Sequence, residues 1–331
     1  MQRWNLHKRI ALMLLTVSGT NGRSLVGGFM LTAALLSMWM TNTSTTMMLL
    51  PIVSSVIAVI ADTVKDISDE ESKNFNLCLL LGTAFGATIG GVATLVGTPP
   101  TAVLAAFLAD NYGIEISFAR WMLVGIPVTI IMLPLCWMIL TRFVYPISFQ
   151  TSQETQDLLD RLKRSLGPVS SAERRVGIVF LCVVAGWMLR PWLSKFLPLD
   201  GVSDSGIVMM AAFVMFLVPS GGRNTLRLLN WQQTKELPWE ILILFGGGLS
   251  LAASVSETGL AYWLGASLVP LGARGIAAIV VGAVILVIFL TELTSNLATT
   301  ATLLPVLAAL ALELGVSPIT LTVPVALAAS C

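Results

Sequence analysis

The run from Trp121 to Leu140 holds twenty consecutive residues without a charged side chain. That is more than the roughly 18 apolar residues that mark a membrane-crossing helix, and Gly275 to Leu290 comes close to the same length. Across the 331 residues 56% are hydrophobic and 11% charged, where an ordinary soluble domain carries about a quarter charged. A water-soluble fold is therefore excluded, and the expectation is an all-α polytopic membrane protein with the lipid bilayer as its solvent, in a cell inner or plasma membrane. Met1 to Arg9 is basic and polar, and the apolar run after it ends in Ser18-Gly19-Thr20-Asn21-Gly22 without a cleavage pattern. Insertion then relies on the spans themselves rather than on a cleaved signal.

Net charge, +1, says little, but its distribution orients the chain, because basic residues in short loops mark the cytoplasmic face. Arg3, Lys8, Arg9 and Arg23 lie near the N-terminus; Lys65 and Lys73 follow residue 61. A third group is Arg142, Arg161, Lys163, Arg164, Arg174 and Arg175, and a fourth is Arg223, Arg227 and Lys235. If these four stretches share one side, they place fifteen of the nineteen basic residues there, leaving Arg120, Arg190, Lys195 and Arg274 opposite. Cys78, Cys136, Cys182 and Cys331 are widely spaced and read as packing residues, and the lone His7 reads as a solvated loop histidine without a functional role.

On this bookkeeping residues 1–23 are a cytoplasmic or interfacial lead-in. Residues 24–61 hold two short apolar runs around polar Thr41 to Thr46, the pattern of a re-entrant hairpin entering from the cytoplasm. Residues 75–110 are one transmembrane helix broken at Gly97, Thr98, Pro99 and Pro100, where proline removes backbone donors. Residues 119–260 supply further transmembrane helices, among them Trp239 to Val255 with Gly246, Gly247 and Gly248, followed by an outer segment, Leu260 to Leu271. Within this region 146–172 is a cytoplasmic arm whose Leu158, Leu159, Leu162 and Leu166 suit an amphipathic surface helix. Residues 274–315 form a second hairpin, entering from outside, and 319–331 begin another broken helix. Both ends are abrupt, so the chain reads as an internal portion of a larger protein, which alone need not transport.

Setting Asn42 on Asn296 aligns Asn-Thr-Ser-Thr-Thr-Met-Met-Leu-Leu-Pro with Asn-Leu-Ala-Thr-Thr-Ala-Thr-Leu-Leu-Pro, identical at six of ten positions including Pro51 and Pro305. Opposite entry sides make this an inverted repeat, an architecture of transporters. Each second half-helix, starting near Thr43 and Leu297, offers free N–H groups and a positive dipole end to an oxyanion. Carbonyls at the end of each first half-helix, with Ser37, Thr41, Asn42 and with Thr291, Thr294, Asn296, suit a hard cation such as sodium. Neither tip holds an arginine or lysine, so a bound anion has to be balanced by cations and dipoles, which favours cation-coupled transport. The plainer reading is that these Ser, Thr and Asn side chains only bond neighbouring helices. Glu292 beside the second tip reads either as a proton carrier or as a fixed structural anion. No His-Glu zinc pattern, catalytic carboxylate pair or serine with a base supports an enzyme or membrane sensor.

Three motifs carry a family resemblance. Thr41-Asn42-Thr43, the run Ile89-Gly90-Gly91-Val92-Ala93-Thr94-Leu95-Val96-Gly97-Thr98-Pro99-Pro100, and Thr291-Glu292-Leu293-Thr294-Ser295-Asn296-Leu297-Ala298-Thr299-Thr300 resemble, in order, the divalent anion/sodium symporter family. The resemblance runs from about His7 to the C-terminus. It implies sodium-coupled uptake of a small dianionic substrate, a C4 dicarboxylate such as succinate or malate, with Na+ as coupling ion. A sodium-independent dicarboxylate exchanger and a sulfate or citrate carrier of the same fold are the alternatives. It further implies an elevator-type transporter working as a homodimer, without nucleic acid, whose moving part holds both hairpins and the Gly97 helix. Carried over by residue, substrate contacts fall on Thr41, Asn42, Thr43, Thr98, Ser295, Asn296 and Leu297. One sodium site falls on Ser37, Thr41, Asn42 and Gly97, the other on Thr291, Thr294 and Asn296. Two positions depart from the family's Ser-Asn-Thr pattern, Thr41 for serine and Leu297 for threonine. The first tip is therefore expected to contribute more side-chain contacts to substrate than the second, and a second Thr-Pro-Pro element after the last helix is missing from the sequence.

Overall fold

The computed structural model of the chain describes residues 2–16, 21–64, 68–150, 153–196, 203–221, 227–234 and 275–330, with scattered positions between 239 and 263. Every regular element among the described residues is a helix, as expected for an all-α protein. The expected span Trp239 to Val255 and the outer segment Leu260 to Leu271 lie, apart from those scattered positions, outside the described residues. The chain divides into two compact units: Met1–Ala93 with Ser117–Leu237, and Thr94–Ile116 with Pro238–Cys331.

In the first unit α1 (Leu6–Leu15) precedes a helical pair, α2 (Gly22–Ser37) and α3 (Asn42–Thr63), and then α4 (Asp69–Gly91). Apolar side chains gain little by leaving lipid, so helices in a membrane associate through close packing, for which small residues are suited. Gly82, Gly86 and Gly90 are spaced one turn apart along α4 and bring its backbone against α2: Gly82 meets Val26 and Met30, Gly86 meets Met30, and Gly90 meets Ala34. This order makes α2 and α4 run side by side in the same direction, so the end of α4 lies level with the end of α2. Val26, Phe29 and Met30 of α2, Val53, Val56 and Ile60 of α3, and Phe75 and Leu79 of α4 form one buried cluster.

Helix α6 (Phe118–Met138) continues through a π-helical turn, Ile139–Val144, and is followed by α7 (Gln153–Ser165), α8 (Ser171–Phe196), α9 (Asp204–Leu217) and a short α10 (Trp231–Thr234). The arm forms as α7, but its leucines face protein: Leu159 is buried in the α2–α3–α4 cluster and Leu158, Leu162 and Leu166 pack against it. His7 departs from its expected exposure, since α1 buries His7 together with Ala11, Leu12 and Leu15. Helix formation explains this, because a spacing of three and four residues puts all four side chains on the face that packs inward. An ion pair fixes α1 further along. Arg9 reaches Glu173 at 3.1 Å and donates to the carbonyls of Leu166, Gly167 and Pro168, closing the exposed end of α7. Burial opposes ionisation of Glu173. The N–H and hydroxyl of Ser170 and the Arg9 guanidinium outweigh it and hold the carboxyl below its usual range. Glu71 is likewise lowered, chiefly by the Ser148 hydroxyl, which donates to it at 2.7 Å.

The second unit contains α5 (Pro99–Tyr112), α11 (Ile276–Thr291), α12 (Asn296–Glu313) and α13 (Ile319–Ala328). α5 starts on two prolines, which need no N–H partner in a first turn, and ends on Gly113 at φ 63°. Val287 of α11, Leu307 and Leu310 of α12, and Leu321 and Val325 of α13 make its core. Among the described residues α3, α6 with its π turn, and α12 are long and apolar enough to cross a membrane, by length and composition. The second helix of each pair starts within one residue of the expected position, and α3 has 22 residues and α12 has 18. Residues 43–46 and 297–300 are helical, since each helix begins at its Asn, and Pro51 and Pro305 are accommodated inside.

Candidate functional site

The two tips are built on one plan at a constant offset of 254 residues. α2 and α11 each have 16 residues, end at Ser37 and Thr291, and pass through a four-residue link into α3 at Asn42 and α12 at Asn296. The links make matching bonds. Trp39 N–H donates to Leu36 O at 3.0 Å and Leu293 N–H to Leu290 O at 3.1 Å; Thr45 N–H donates to Thr41 O at 3.0 Å and Thr299 N–H to Ser295 O at 2.9 Å. The Thr46 hydroxyl donates to Asn42 O at 2.9 Å and the Thr300 hydroxyl to Asn296 O at 2.7 Å.

Within the first tip the Ser37 hydroxyl donates to Asn42 Oδ1 at 2.8 Å, and Ser37 is fully buried. Thr41 caps α3: its Oγ1 accepts the Ser44 N–H at 3.4 Å and donates to the Ser44 hydroxyl at 2.9 Å. Such a cap satisfies one of the N–H groups left open at a helix start. Thr43 is exposed. The structure thus brings Ser37, Thr41 and Asn42 together on the inner side of the tip, with Thr43 outward. It adds Thr45, absent from the sequence-derived set, which is fully buried and whose hydroxyl has no hydrogen-bond partner among the described residues. The repeat shows why. Its counterpart Thr299 is hydrogen-bonded to Thr294 at 2.6 Å, and Met40 stands where Thr294 would be.

The second tip is more open. Ser295 and Asn296 are exposed, Leu297 is buried at 5%, and Ser295 makes no side-chain cap. Thr291 and Thr294 spend their hydroxyl protons on the backbone, Thr291 on Val287 O at 3.0 Å and Thr294 on Leu290 O at 2.9 Å. Their oxygens keep acceptor lone pairs that a cation can use. Glu292 is exposed at the C-terminal end of α11, not at a helix start, and its carboxylate has no hydrogen bond among the described residues, so nothing here fixes it as a structural anion.

At the helix break in the second unit, Thr94 is fully buried and its Oγ1 accepts N–H donors from Val96 at 3.3 Å and Gly97 at 3.2 Å. Thr98 is buried at 2% and its hydroxyl donates to Ser330 Oγ at 3.4 Å; Thr101 Oγ1 donates to Thr98 O at 2.7 Å. Thr94 and Thr101 were not singled out by sequence reasoning, although threonine three residues before and after a Gly-Thr break is the available signal. On the first-unit side, Trp121 donates its indole N–H to Val92 O at 2.9 Å and Thr129 its hydroxyl to Ile89 O at 3.1 Å, covering carbonyls at the end of α4. The tips offer a cation hydroxyls, amide oxygens and carbonyls, hard donors that suit an alkali ion.

A family model described as "Sodium:sulfate symporter transmembrane region" matches residues 1–331. A protein of Staphylococcus saprophyticus named sodium-dependent dicarboxylate transporter SdcS is 39% identical over all of this chain, and the same-named protein of Staphylococcus aureus strain USA300 is 38% identical. The chain spans 64% of the length of each of these relatives.

Proposed function

The chain belongs to the sodium:sulfate symporter family, and from that premise we propose that it is the transmembrane part of a sodium-coupled carrier of small divalent anions, C4 dicarboxylates such as succinate or malate, and not an enzyme. The carrying observation is the duplicated tip. Both copies place oxygen ligands beside a helix start, Ser37, Thr41 and Asn42 in one and Thr291, Thr294 and Asn296 in the other, and neither contains a basic residue. At each tip helix N–H groups and nearby polar side chains, Thr43 in the first unit and Ser295, Asn296 and Thr98 in the second, suit a dianion, and Na+ at the inner oxygens offsets its charge. The names of the two staphylococcal relatives support both the ion and the substrate class.

In this reading the two hairpins are re-entrant, they move with the Gly97 helix as an elevator in a homodimer, and the protein crosses a plasma membrane several times. α3 extends past mid-membrane depth, since 22 residues rise about 33 Å against a hydrocarbon core of about 30 Å, so its far end reaches the aqueous side where α7 packs on it. Competition of labelled succinate by unlabelled malate, citrate and sulfate, in liposomes holding the full-length protein, tests the substrate. Malate should compete best. Stronger competition by sulfate or citrate would replace the dicarboxylate assignment.

A further inference from the structure

The tips differ most at the second position of their links, where the first has Trp39 and the second Leu293. Leu293 is 86% exposed, whereas Trp39 is half-buried between two aromatic rings. Its ring lies 6.0 Å from Phe118 in a near-parallel stack and meets Phe180 edge-on at 4.9 Å. Phe118 is itself fixed. It is 1% exposed, stacks on Trp187 at 4.2 Å, and its N–H donates to Asp204 Oδ2 at 2.9 Å. Asp204 is held in turn by Arg190 at 2.9 Å, and the Trp187 indole donates to the Asp204 carbonyl at 3.0 Å. A chain of rings therefore runs from the link to the α6 start and the α8–α9 corner, ending on an ion pair.

We propose that Trp39 is the positioning residue of the first tip: clamped between Phe118 and Phe180, it holds the link in the shape that presents Ser37 and Asn42 to sodium. Trp39 lies two residues from Ser37 and three from Asn42, so a shift of its ring is passed to both ligands through only a few bonds. Preorganised ligands bind a cation without a separate ordering cost, and each aromatic contact contributes on the scale of a severalfold change in affinity. Among the described residues Leu293, at the matching position of the second tip, has no aromatic contact of this kind. The inference rests on the sodium-coupled reading of the tips.

The test uses the full-length protein in liposomes, with sodium half-saturation and succinate half-saturation measured separately. Trp39→Leu, which copies the second tip, should raise sodium half-saturation about tenfold, equivalent to about 1.4 kcal/mol. Succinate half-saturation at saturating sodium should stay within about twofold, a split that general loss of structure does not produce. Trp39→Phe should recover most of the loss. Phe118→Leu should match Trp39→Leu, and the double variant should be no worse than either single one. Unchanged sodium half-saturation in a folded Trp39→Leu protein, or additive losses in the double variant, would overturn the proposal. Wild-type uptake that ignores sodium would instead sink the coupling. The clamp is then judged by thiol labelling of Thr43→Cys in a cysteine-replaced background: faster labelling with Trp39→Leu supports it, equal labelling refutes it.

Discussion

Adding one methyl group at Gly90 tests whether the α2–α4 contact sets the first tip. A Cβ built there would lie 2.2 Å from both the Cα and the carbonyl oxygen of Ala34, where ordinary contacts begin near 3.4 Å. The obstacle is backbone, so no side chain can rotate away, and the helices must part locally by about 1.2 Å. Overpacking of this kind costs about 1–3 kcal/mol. Ala34 lies three residues before Ser37, about 4.5 Å along the helix, so the displacement should reach the Ser37–Asn42 bond. Gly82 is the internal control, because its Cβ would meet only the Val26 and Met30 side chains at 3.2 Å, and these can yield. Gly86, at 2.6 Å from Met30 O, should fall between them. Thermal unfolding of the purified full-length protein should rank the variants Gly82→Ala, Gly86→Ala, Gly90→Ala in falling stability, the last losing about 3–8 °C. Equal melting of Gly90→Ala and Gly82→Ala would refute the close backbone packing and the link drawn from it to the tip.

Two further variants probe the polar interior. Glu173 has a lowered carboxyl, so its stabilising contribution is present above the unfolded value of about 4.3 and is lost as pH falls through the lower folded value; Glu173→Gln should flatten the decline in melting temperature below about pH 4.5, and an unchanged acid limb would contradict the Arg9 clamp. Thr45→Val removes a buried hydroxyl without a partner among the described residues and keeps the shape, so in sodium-free detergent it should leave stability unchanged or raise it by up to about 1 kcal/mol; a loss larger than that would show that Thr45 is satisfied.

The elements most legible in the sequence were those with punctuation. Thr41, Asn42 and Pro51 against Ser295, Asn296 and Pro305 marked two helix pairs, and the structure gives their first helices identical lengths. Gly97-Thr98-Pro99-Pro100 located the helix break, because proline starts α5 where α4 has ended. Elements whose apolar faces choose between lipid and protein were less legible. The leucines of α7 have the periodicity of a membrane-surface helix, yet they pack on α3 and its neighbours, and periodicity does not name the partner. His7 was misplaced for the same reason, since charge around a residue says nothing of the helix that covers it. In the site, residue types were legible but hydroxyl partners were not. Whether a threonine bonds its own backbone or a neighbour depends on what stands opposite it: Thr294 pairs with Thr299, while Thr45, with Met40 at the matching position, has no partner among the described residues.

Tips lined by side-chain and backbone oxygens and lacking basic residues should hold a dianion only together with sodium. Succinate uptake into liposomes holding the full-length protein, measured with sodium and with sodium replaced by choline, tests it most directly. Uptake should collapse in choline and return with added sodium. Uptake that persists unchanged in choline would contradict it.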